Sequence, residues 1–257
     1  MPHHSTRKES LYSMKIVTLT DYSEMSEKTA DFILDFVHKK PDALLCFPAG
    51  HTSLGTFRLL ADYSRKGLAD FSKCRFVGLD EWLGLDKDDE NNCRSFMYHH
   101  LFIPLEIDPA RIEFFDVAAE NLELECRRID EYIFKNGPVD LMLLGIGMNG
   151  HLGLNEPGTS PELYSHVTEL DTVTKTVGQK YFDRPVKLER GITLGLKHIM
   201  QSRTVILQAS ERKKAGIVKK AIEGPITPDI PASVLRRHSN AFMFMDQEAA
   251  ALLDNNN

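Results

Sequence analysis

The segment from residue 145 to residue 161 carries one histidine, His151, and one glutamate, Glu156, in a glycine-rich loop. A histidine titrates near neutral pH and, beside a carboxylate, can move a proton between two atoms of a substrate. The apolar run before the loop, residues 139–144, is typical of a buried strand. Because ligands of open α/β sheets bind beyond the carboxyl ends of strands, we expect acid–base chemistry here. Taken alone, the segment also fits an ordinary loop with a solvated histidine.

Two adjacent acids, Asp80 and Glu81, follow another apolar run, residues 75–79, which we predict to be a strand. The two carboxylates would therefore lie just beyond the carboxyl end of that strand. A positioned carboxylate can remove the weakly acidic proton next to a carbonyl or an imine. The alternative is structural, because acidic residues after a strand also form turns and cap helices.

The loop Pro48–Ser53 joins a predicted strand, residues 43–47, to a predicted helix that begins at Leu54. Backbone N–H groups and the macrodipole at a helix N-terminus favour a bound phosphate. The loop residues that would surround this anion are Ala49, Gly50, His51, Thr52 and Ser53. Helix capping by a hydroxyl of the loop is the alternative, and the loop lacks the Gly-Lys-Ser/Thr ending of a nucleotide P-loop.

The composition is that of a soluble globular protein rather than of a nucleic-acid-binding protein. Of 257 residues, 42% are hydrophobic and 26% charged, and the formal net charge is -6. No window approaches the roughly 20 apolar residues of a membrane span, and residues 1–13 lack a signal-peptide pattern. The four cysteines have neither disulfide nor metal-site spacing. We expect a cytoplasmic protein with reduced thiols, no metal, and no membrane or nucleic-acid partner.

Apolar runs and helical patterns alternate along the chain, which predicts a single-domain α/β fold. The doubly wound, mostly parallel sheet would carry helices on both faces. The predicted strands are 14–19, 43–47, 75–79, 112–115, 139–144, 204–207 and 241–245, and the clearest helical patterns are 24–38, 54–63 and 122–134. We assign residues 14–253 to the domain and residues 1–13 to a polar, disordered extension. Residues 159–190 are either a lid or a weakly patterned strand and helix.

Two strings carry a family resemblance: Gly-Ile-Gly-Met-Asn-Gly-His at 145–151 and Asn-Glu-Pro-Gly-Thr-Ser at 155–160. Together they closely resemble the signature of glucosamine-6-phosphate deaminases, also called isomerases, whose superfamily includes the 6-phosphogluconolactonases. The resemblance extends through 48–53, 79–82, 95–97 and 221–224, and covers roughly residues 14 to 250. It implies conversion of an aminosugar 6-phosphate to a ketohexose 6-phosphate and ammonia, without a cofactor. Assembly into a homo-oligomer is left open.

The resemblance also assigns roles in proton transfer. Asp80 would move a proton between C2 and C1 of the open-chain sugar, with Glu81 supporting its loop. His151 would shuttle the proton that opens the sugar ring, and Glu156 would orient or recharge it. Deaminases of this family usually have an aspartate at the position of Asn149. We expect the asparagine to hold the imidazole by a hydrogen bond.

Two lysines are candidates for the phosphate. Lys214 matches the phosphate-binding lysine of the family, although a run of charge at Arg212-Lys213-Lys214 also fits a solvated surface. Lys175 falls where these deaminases usually carry an arginine that reaches the phosphate.

Glucosamine-6-phosphate is the default substrate implied by the resemblance, and galactosamine-6-phosphate is the second. A 6-phosphogluconolactonase is an alternative, but Asn155-Glu156-Pro157 stands where that branch typically has a Ser-Leu-Phe-Pro type segment. A sugar-phosphate-binding sensor without efficient chemistry is another alternative, which the asparagine at position 149 leaves open.

Overall fold

Ten strands form two sheets in the computed structural model, which describes residues 14–85 and 89–254. Their bounds are β1 Lys15–Leu19, β2 Leu44–Cys46, β3 Arg75–Val77, β4 Asp80–Leu83, β5 Ile112–Glu113, β6 Leu141–Gly145, β7 His166–Glu169, β8 Arg190–Thr193, β9 Val205–Ala209 and β10 Ala241–Asp246. Seven of them form a central sheet in the order β1-β10-β9-β6-β2-β3-β5, and every neighbouring pair is parallel. The predicted extension, residues 1–13, lies outside the described residues.

The seven strands of the central sheet are the seven that the apolar runs predict. All residues of β2 and β9 are buried, as a parallel sheet covered on both faces requires. Neighbouring residues of β9 point to opposite faces, so that Ile206 and Leu207 belong to different hydrophobic clusters. The four cysteines of the chain are unpaired and buried.

Helices cover both faces of the sheet, and the predicted doubly wound α/β fold is confirmed. Their bounds are α1 Tyr22–Lys39, α2 Leu54–Arg65, α3 Cys93–Met97, α4 Leu122–Asn136, α5 Thr172–Gly178, α6 Leu196–Gln201, α7 Ala215–Glu223 and α8 Gln247–Ala250. The buried stripes of α1 and α2 pack on one face, and those of α4, α6 and α7 pack on the other. Across the described residues, no helix has the length and apolarity needed to cross a bilayer.

A second, antiparallel sheet of three strands, in the order β4-β8-β7, was not predicted. Polar residues make up much of β7 and of β4, so these strands leave no apolar run to detect. Asp80 was predicted to lie in a loop after the strand 75–79; instead β3 ends at Val77, and Asp80 is the first residue of β4. Residues 159–190 contain β7 and α5, which confirms the alternative of a weakly patterned strand and helix.

Gly195, at the start of α6, packs tightly against the backbone of residues 163 and 164, which precede β7. A Cβ added there would overlap the carbonyl oxygens of Leu163 and Tyr164. We therefore expect Gly195→Ala to lower the free energy of unfolding by about 1–3 kcal/mol, because the backbone must shift. Urea denaturation measures this loss.

The matched control is Gly216→Ala on the exposed face of α7, where an added Cβ meets nothing within 4 Å. Alanine should leave stability unchanged or raise it by about 0.5–1 kcal/mol, since the unfolded chain loses flexibility. Equal stabilities for the wild type and Gly195→Ala would contradict the contact described above.

Candidate active site

A cavity opens at the carboxyl edge of the central sheet, where loops after several parallel strands meet. Most of the residues predicted from the sequence line it: Ala49, Gly50, His51, Thr52, Ser53, Asp80, His151 and Lys214. Glu81, Asn149 and Glu156 are absent from the lining, and each is bonded to residues of the cavity wall. Lys175 does not line the cavity.

Asp80 lies at the wall of this cavity, paired in the antiparallel sheet with Thr193 of β8. Burial raises the pKa of its carboxyl to about 7, and the neighbouring charge of Glu81 adds to the rise. A hydrogen bond from the Cys93 thiol acts in the opposite direction on this pKa. A carboxylate that titrates near neutral pH is well matched to the work of a general base.

The side chain of Glu81 accepts hydrogen bonds from backbone N–H groups and does not line the cavity. Its buried carboxylate accepts hydrogen bonds from the backbone N–H groups of Trp82 at 2.8 Å, Cys93 at 2.9 Å and Arg94 at 2.8 Å. These bonds join β4 to the first turn of α3. Burial raises the pKa of Glu81, and the three N–H donors oppose that rise. Glu81 therefore holds the backbone on which the adjacent Asp80 is carried.

The imidazole of His151 stands against the backbone of Gly147, where an added Cβ would overlap the ring. Its Nδ1 lies 3.0 Å from Thr174 Oγ1 and 3.4 Å from Glu156 Oε2. Both neighbours of Nδ1 can accept a hydrogen bond, so this nitrogen carries the proton in the neutral ring. The other ring nitrogen, Nε2, is then the one that can exchange a proton with a ligand in the cavity.

Asn149 does not hold the imidazole, contrary to expectation. Its side-chain oxygen accepts the backbone N–H of His151 at 3.2 Å, and its Nδ2 donates to Glu156 Oε2 at 2.8 Å. Burial alone would raise the pKa of Glu156, but hydrogen bonds from His151, Thr174 and Asn149 and the His151 charge hold it below its ordinary value. Glu156 is therefore kept as a carboxylate behind the histidine.

The loop before α2 faces the cavity, and its own hydroxyls do not cap the helix. The hydroxyl of Ser53 donates to Gly50 O at 2.8 Å, and neither N-cap residue, Gly50 of the turn His51–Ser53 nor Ser53 of α2, makes a side-chain cap bond. In the first turn of α2 the backbone N–H of Gly55 donates to the hydroxyl of Tyr22 at 2.7 Å. The structure thus does not show capping by a hydroxyl of the loop, the alternative raised by the sequence. A helix N-terminus that lines a cavity favours an anion there.

Three lysines gather at the same end of the cavity, which is lined by His51, Lys180, Lys213 and Lys214. Lys214 Nζ donates to Ile146 O. Burial and the charges of Lys180 and Lys213 together lower the pKa of Lys214 to about 8. Burial and the charge of Lys180 likewise lower the pKa of His51, which favours its neutral form. Because the lysines repel one another, a bound dianion would stabilise all three of them.

Lys180 and Thr174 are residues that the sequence interpretation missed. The helix α5 begins after its N-cap Asp171, which turns Thr174, Val177 and Gly178 to the cavity and leaves Lys175 outside its lining. Lys180, in the turn that follows α5, reaches the cavity instead. The start of α5 at an aspartate was a usable signal, since a helix start fixes which residues share a face.

Two further contacts shape the cationic end. The ring of His51 stacks on Tyr181, with centroids 5.0 Å apart and planes 8° from parallel, so the turn after α5 packs against the loop 48–53. Glu211 also lines the cavity, pairs with Lys213, and has a φ of 79°. A non-glycine residue at positive φ is strained, and such strain concentrates at functional sites.

The sequence profile described as glucosamine-6-phosphate isomerases/6-phosphogluconolactonase matches residues 21–244. A relative from Geobacillus sp. (strain WCH70), named glucosamine-6-phosphate deaminase, is 40% identical over 241 residues, which are 93% of this chain and 96% of the relative. A deaminase of that name from Thermoanaerobacter sp. (strain X514) is 36% identical over 93% of this chain and 95% of its own length.

The solved structures that resemble this chain indicate the same family as these relatives. A structure described as a monomeric glucosamine-6-phosphate deaminase is 36% identical, with a TM-score of 0.90, and covers 93% of this chain and 100% of that chain. The 6-phosphogluconolactonase of Trypanosoma brucei is 20% identical, with a TM-score of 0.72 over 95% of this chain and 100% of its own, and shares the fold. The chain therefore belongs to the glucosamine-6-phosphate isomerase/6-phosphogluconolactonase family.

Proposed function

We propose that this protein is an aminosugar-6-phosphate deaminase that converts glucosamine-6-phosphate to a ketohexose 6-phosphate and ammonia. One observation carries the proposal: a single cavity joins a cationic end, with Lys180 and Lys214, to two separate proton carriers, Asp80 and His151. A phosphorylated sugar that must open its ring and then shift a proton between carbons needs these three features. Galactosamine-6-phosphate is the second candidate substrate.

In this proposal the phosphate binds in the loop 48–53 at the start of α2, with amides of residues 49–53 and the lysines Lys180, Lys213 and Lys214 around it. Two charges on a monoester phosphate match the excess of cations at this end of the cavity. Lys180 takes the place that the sequence assigned to Lys175. The sugar then extends from the lysines toward Asp80.

Ring opening falls to His151. The sugar arrives mostly as a closed ring, so C1 has no carbonyl character until the C1–O5 bond breaks. His151 Nε2 takes the proton of the O1 hydroxyl and returns a proton to O5, while Nδ1 remains bonded to Thr174. Glu156, held as a carboxylate, stabilises the imidazolium formed in between.

Asp80 carries out the isomerisation. It removes the proton from C2 of the open-chain aldehyde and returns it to C1, while the C2 ammonium loses one proton and O1 gains one. The products of this step are a primary alcohol at C1 and an iminium at C2. Water then adds to C2, and the C–N bond breaks to give the ketone and ammonia. A pKa of about 7 lets Asp80 act as a base and then as an acid at neutral pH.

The deaminase is favoured over the lactonase because relatives named glucosamine-6-phosphate deaminase reach 40% identity, whereas the matched lactonase structures reach 20%. Ammonia release from both aminosugar phosphates, measured beside hydrolysis of 6-phosphogluconolactone, tests the choice. Lactone hydrolysis without ammonia release would overturn the proposal. Binding of both aminosugar phosphates without turnover would instead support the sensor.

The cytoplasmic location stays a prediction, and the assembly of several copies of the chain stays open. One of the similar structures is described as monomeric. Light scattering on the purified protein measures the mass of the particle in solution.

We expect Asp80→Asn to abolish ammonia release and exchange of the C2 hydrogen with solvent, because an amide cannot accept the proton. Loss of a general base costs about 10²–10⁴-fold in rate. In the wild type, kcat/KM should rise with pH through about 7 as Asp80 ionises. Initial rates between pH 5 and pH 9 give both results, and a variant that retains more than a few per cent of the rate would refute the assignment.

Stability serves as the control for this variant. The folded pKa of Asp80 is raised to about 7, so the stability that its neutral form contributes is lost as the pH rises through that value. Asp80→Asn, which stays neutral, should therefore gain in melting temperature over the wild type at pH 8 more than at pH 5. A variant that unfolds at either pH would make its lost activity uninformative.

Lys180→Ala should raise the KM for the phosphorylated sugar by about 10-fold or more, with a smaller change in kcat, because it removes a charge-assisted bond remote from C1 and C2. Lys175→Ala on α5 is the matched control, since it removes the same charge outside the cavity lining. Steady-state kinetics of both variants measure the difference. A larger KM effect at Lys175 would restore the original assignment.

A further inference from the structure

Thr174 is the buried member of a row of threonines on α5. Thr172 and Thr176 are exposed, whereas Thr174 is only 3% exposed and lines the cavity. Its hydroxyl lies 3.0 Å from His151 Nδ1 and 3.4 Å from Asn149 Nδ2, and it helps to lower the pKa of the nearby Glu156 carboxyl. A single hydroxyl therefore lies beside both the imidazole and the amide and acts on the carboxylate.

The distances show which partner the imidazole uses. The separation of 3.4 Å between His151 Nδ1 and Glu156 Oε2 is longer than an ordinary N–H···O hydrogen bond, while 3.0 Å to Thr174 is normal. The hydroxyl can accept from Nδ1–H and donate its own proton to the carboxylate. Asn149 Nδ2 supplies only donors, so it cannot take the proton of Thr174. The hydroxyl is thus placed to connect the histidine with Glu156.

Thr174 also comes from a different part of the chain than the residues around its hydroxyl. Asn149, His151 and Glu156 come from the loop after β6, whereas Thr174 comes from the helix that roofs the cavity. If α5 moved away, the imidazole would lose its Nδ1 partner at normal hydrogen-bonding distance. The other groups would remain in place.

We propose that Thr174 is a positioning residue for ring opening, which keeps the proton of His151 on Nδ1 and links the imidazole to the Glu156 carboxylate. The proton shuttle is then complete only when α5 covers the cavity. The inference rests on the proposed function, because it assigns Thr174 to the ring-opening step of that reaction. Asp80, on β4, belongs to a different element and transfers its proton without this hydroxyl.

The test is Thr174→Val, which keeps the shape of the side chain and removes the hydroxyl. Thr174→Ser keeps the hydroxyl and removes the methyl group, and Thr176→Val makes the same change as the first variant on the exposed side of α5. For each protein we would measure kcat, KM and the isotope effect on kcat with glucosamine-6-phosphate deuterated at C2. That isotope effect reports how far proton removal by Asp80, rather than ring opening, limits turnover.

The valine variant should lose about 10- to 100-fold in kcat, the range for a lost hydrogen bond to a charged group, with little change in KM. Its isotope effect should fall toward unity, because ring opening becomes the slow step. Serine should restore most of the rate, and Thr176→Val should behave as the wild type. An undiminished kcat in Thr174→Val, or a reduced kcat with an unchanged isotope effect, would overturn the role of Thr174.

A second measurement does not depend on turnover. Nitrogen-15 NMR of the histidine rings shows which nitrogen of His151 is protonated, with His151→Gln identifying its signals. We expect the Nδ1–H form in the wild type and in Thr174→Ser, and a mixture of the two neutral forms in Thr174→Val. The same mixture in all three proteins would overturn the bridge. If the wild type released no ammonia but showed this pattern, the proposed function would fail and the bridge would stand.

Discussion

The site depends on one geometric constraint, the parallel direction of the central strands. Since β2, β6 and β9 run the same way, the loops after them must meet at one edge of the sheet. Residues as distant in sequence as Ser53, His151 and Lys214 thereby line one cavity. The small antiparallel sheet adds its own segment at this edge through the pairing of Asp80 with Thr193. Hydrophobic patterning along the strands thus decides where the polar chemistry can lie.

The fold was largely predictable because each central strand is an apolar run covered on both faces. The second sheet was not, because polar residues in β4 and β7 leave no apolar run for a local pattern to report. Within the site, Asp80 and His151 could be predicted because they lie in sequence motifs typical of the family. Thr174 lies in no such motif, so the sequence did not indicate it. Lys175 was chosen instead of Lys180 because the sequence analysis did not assign the start of α5.

Several groups of the site are held in states that water would not favour. Burial raises the pKa of Asp80, and burial with neighbouring lysines lowers that of Lys214. Glu211 keeps a backbone conformation that suits glycine. Each of these features costs folding free energy, which the two large hydrophobic clusters on either side of the sheet must offset. Ligand binding would relieve part of the cost at the lysines, because an anion offsets their mutual repulsion.

The order of the central sheet places β10 between β1 and β9, so the last strand of the chain separates the first strand from all the others. The helix α1 also rests on this strand, with Phe32 and Phe242 at 4.8 Å between ring centroids. During synthesis α1 can pack on α2 early, whereas β1 cannot pair until β10 has been made. The edge of β1 therefore stays unpaired while the strands between them in the sequence are translated. The central sheet is completed late, and β1 must stay soluble until its partner is available.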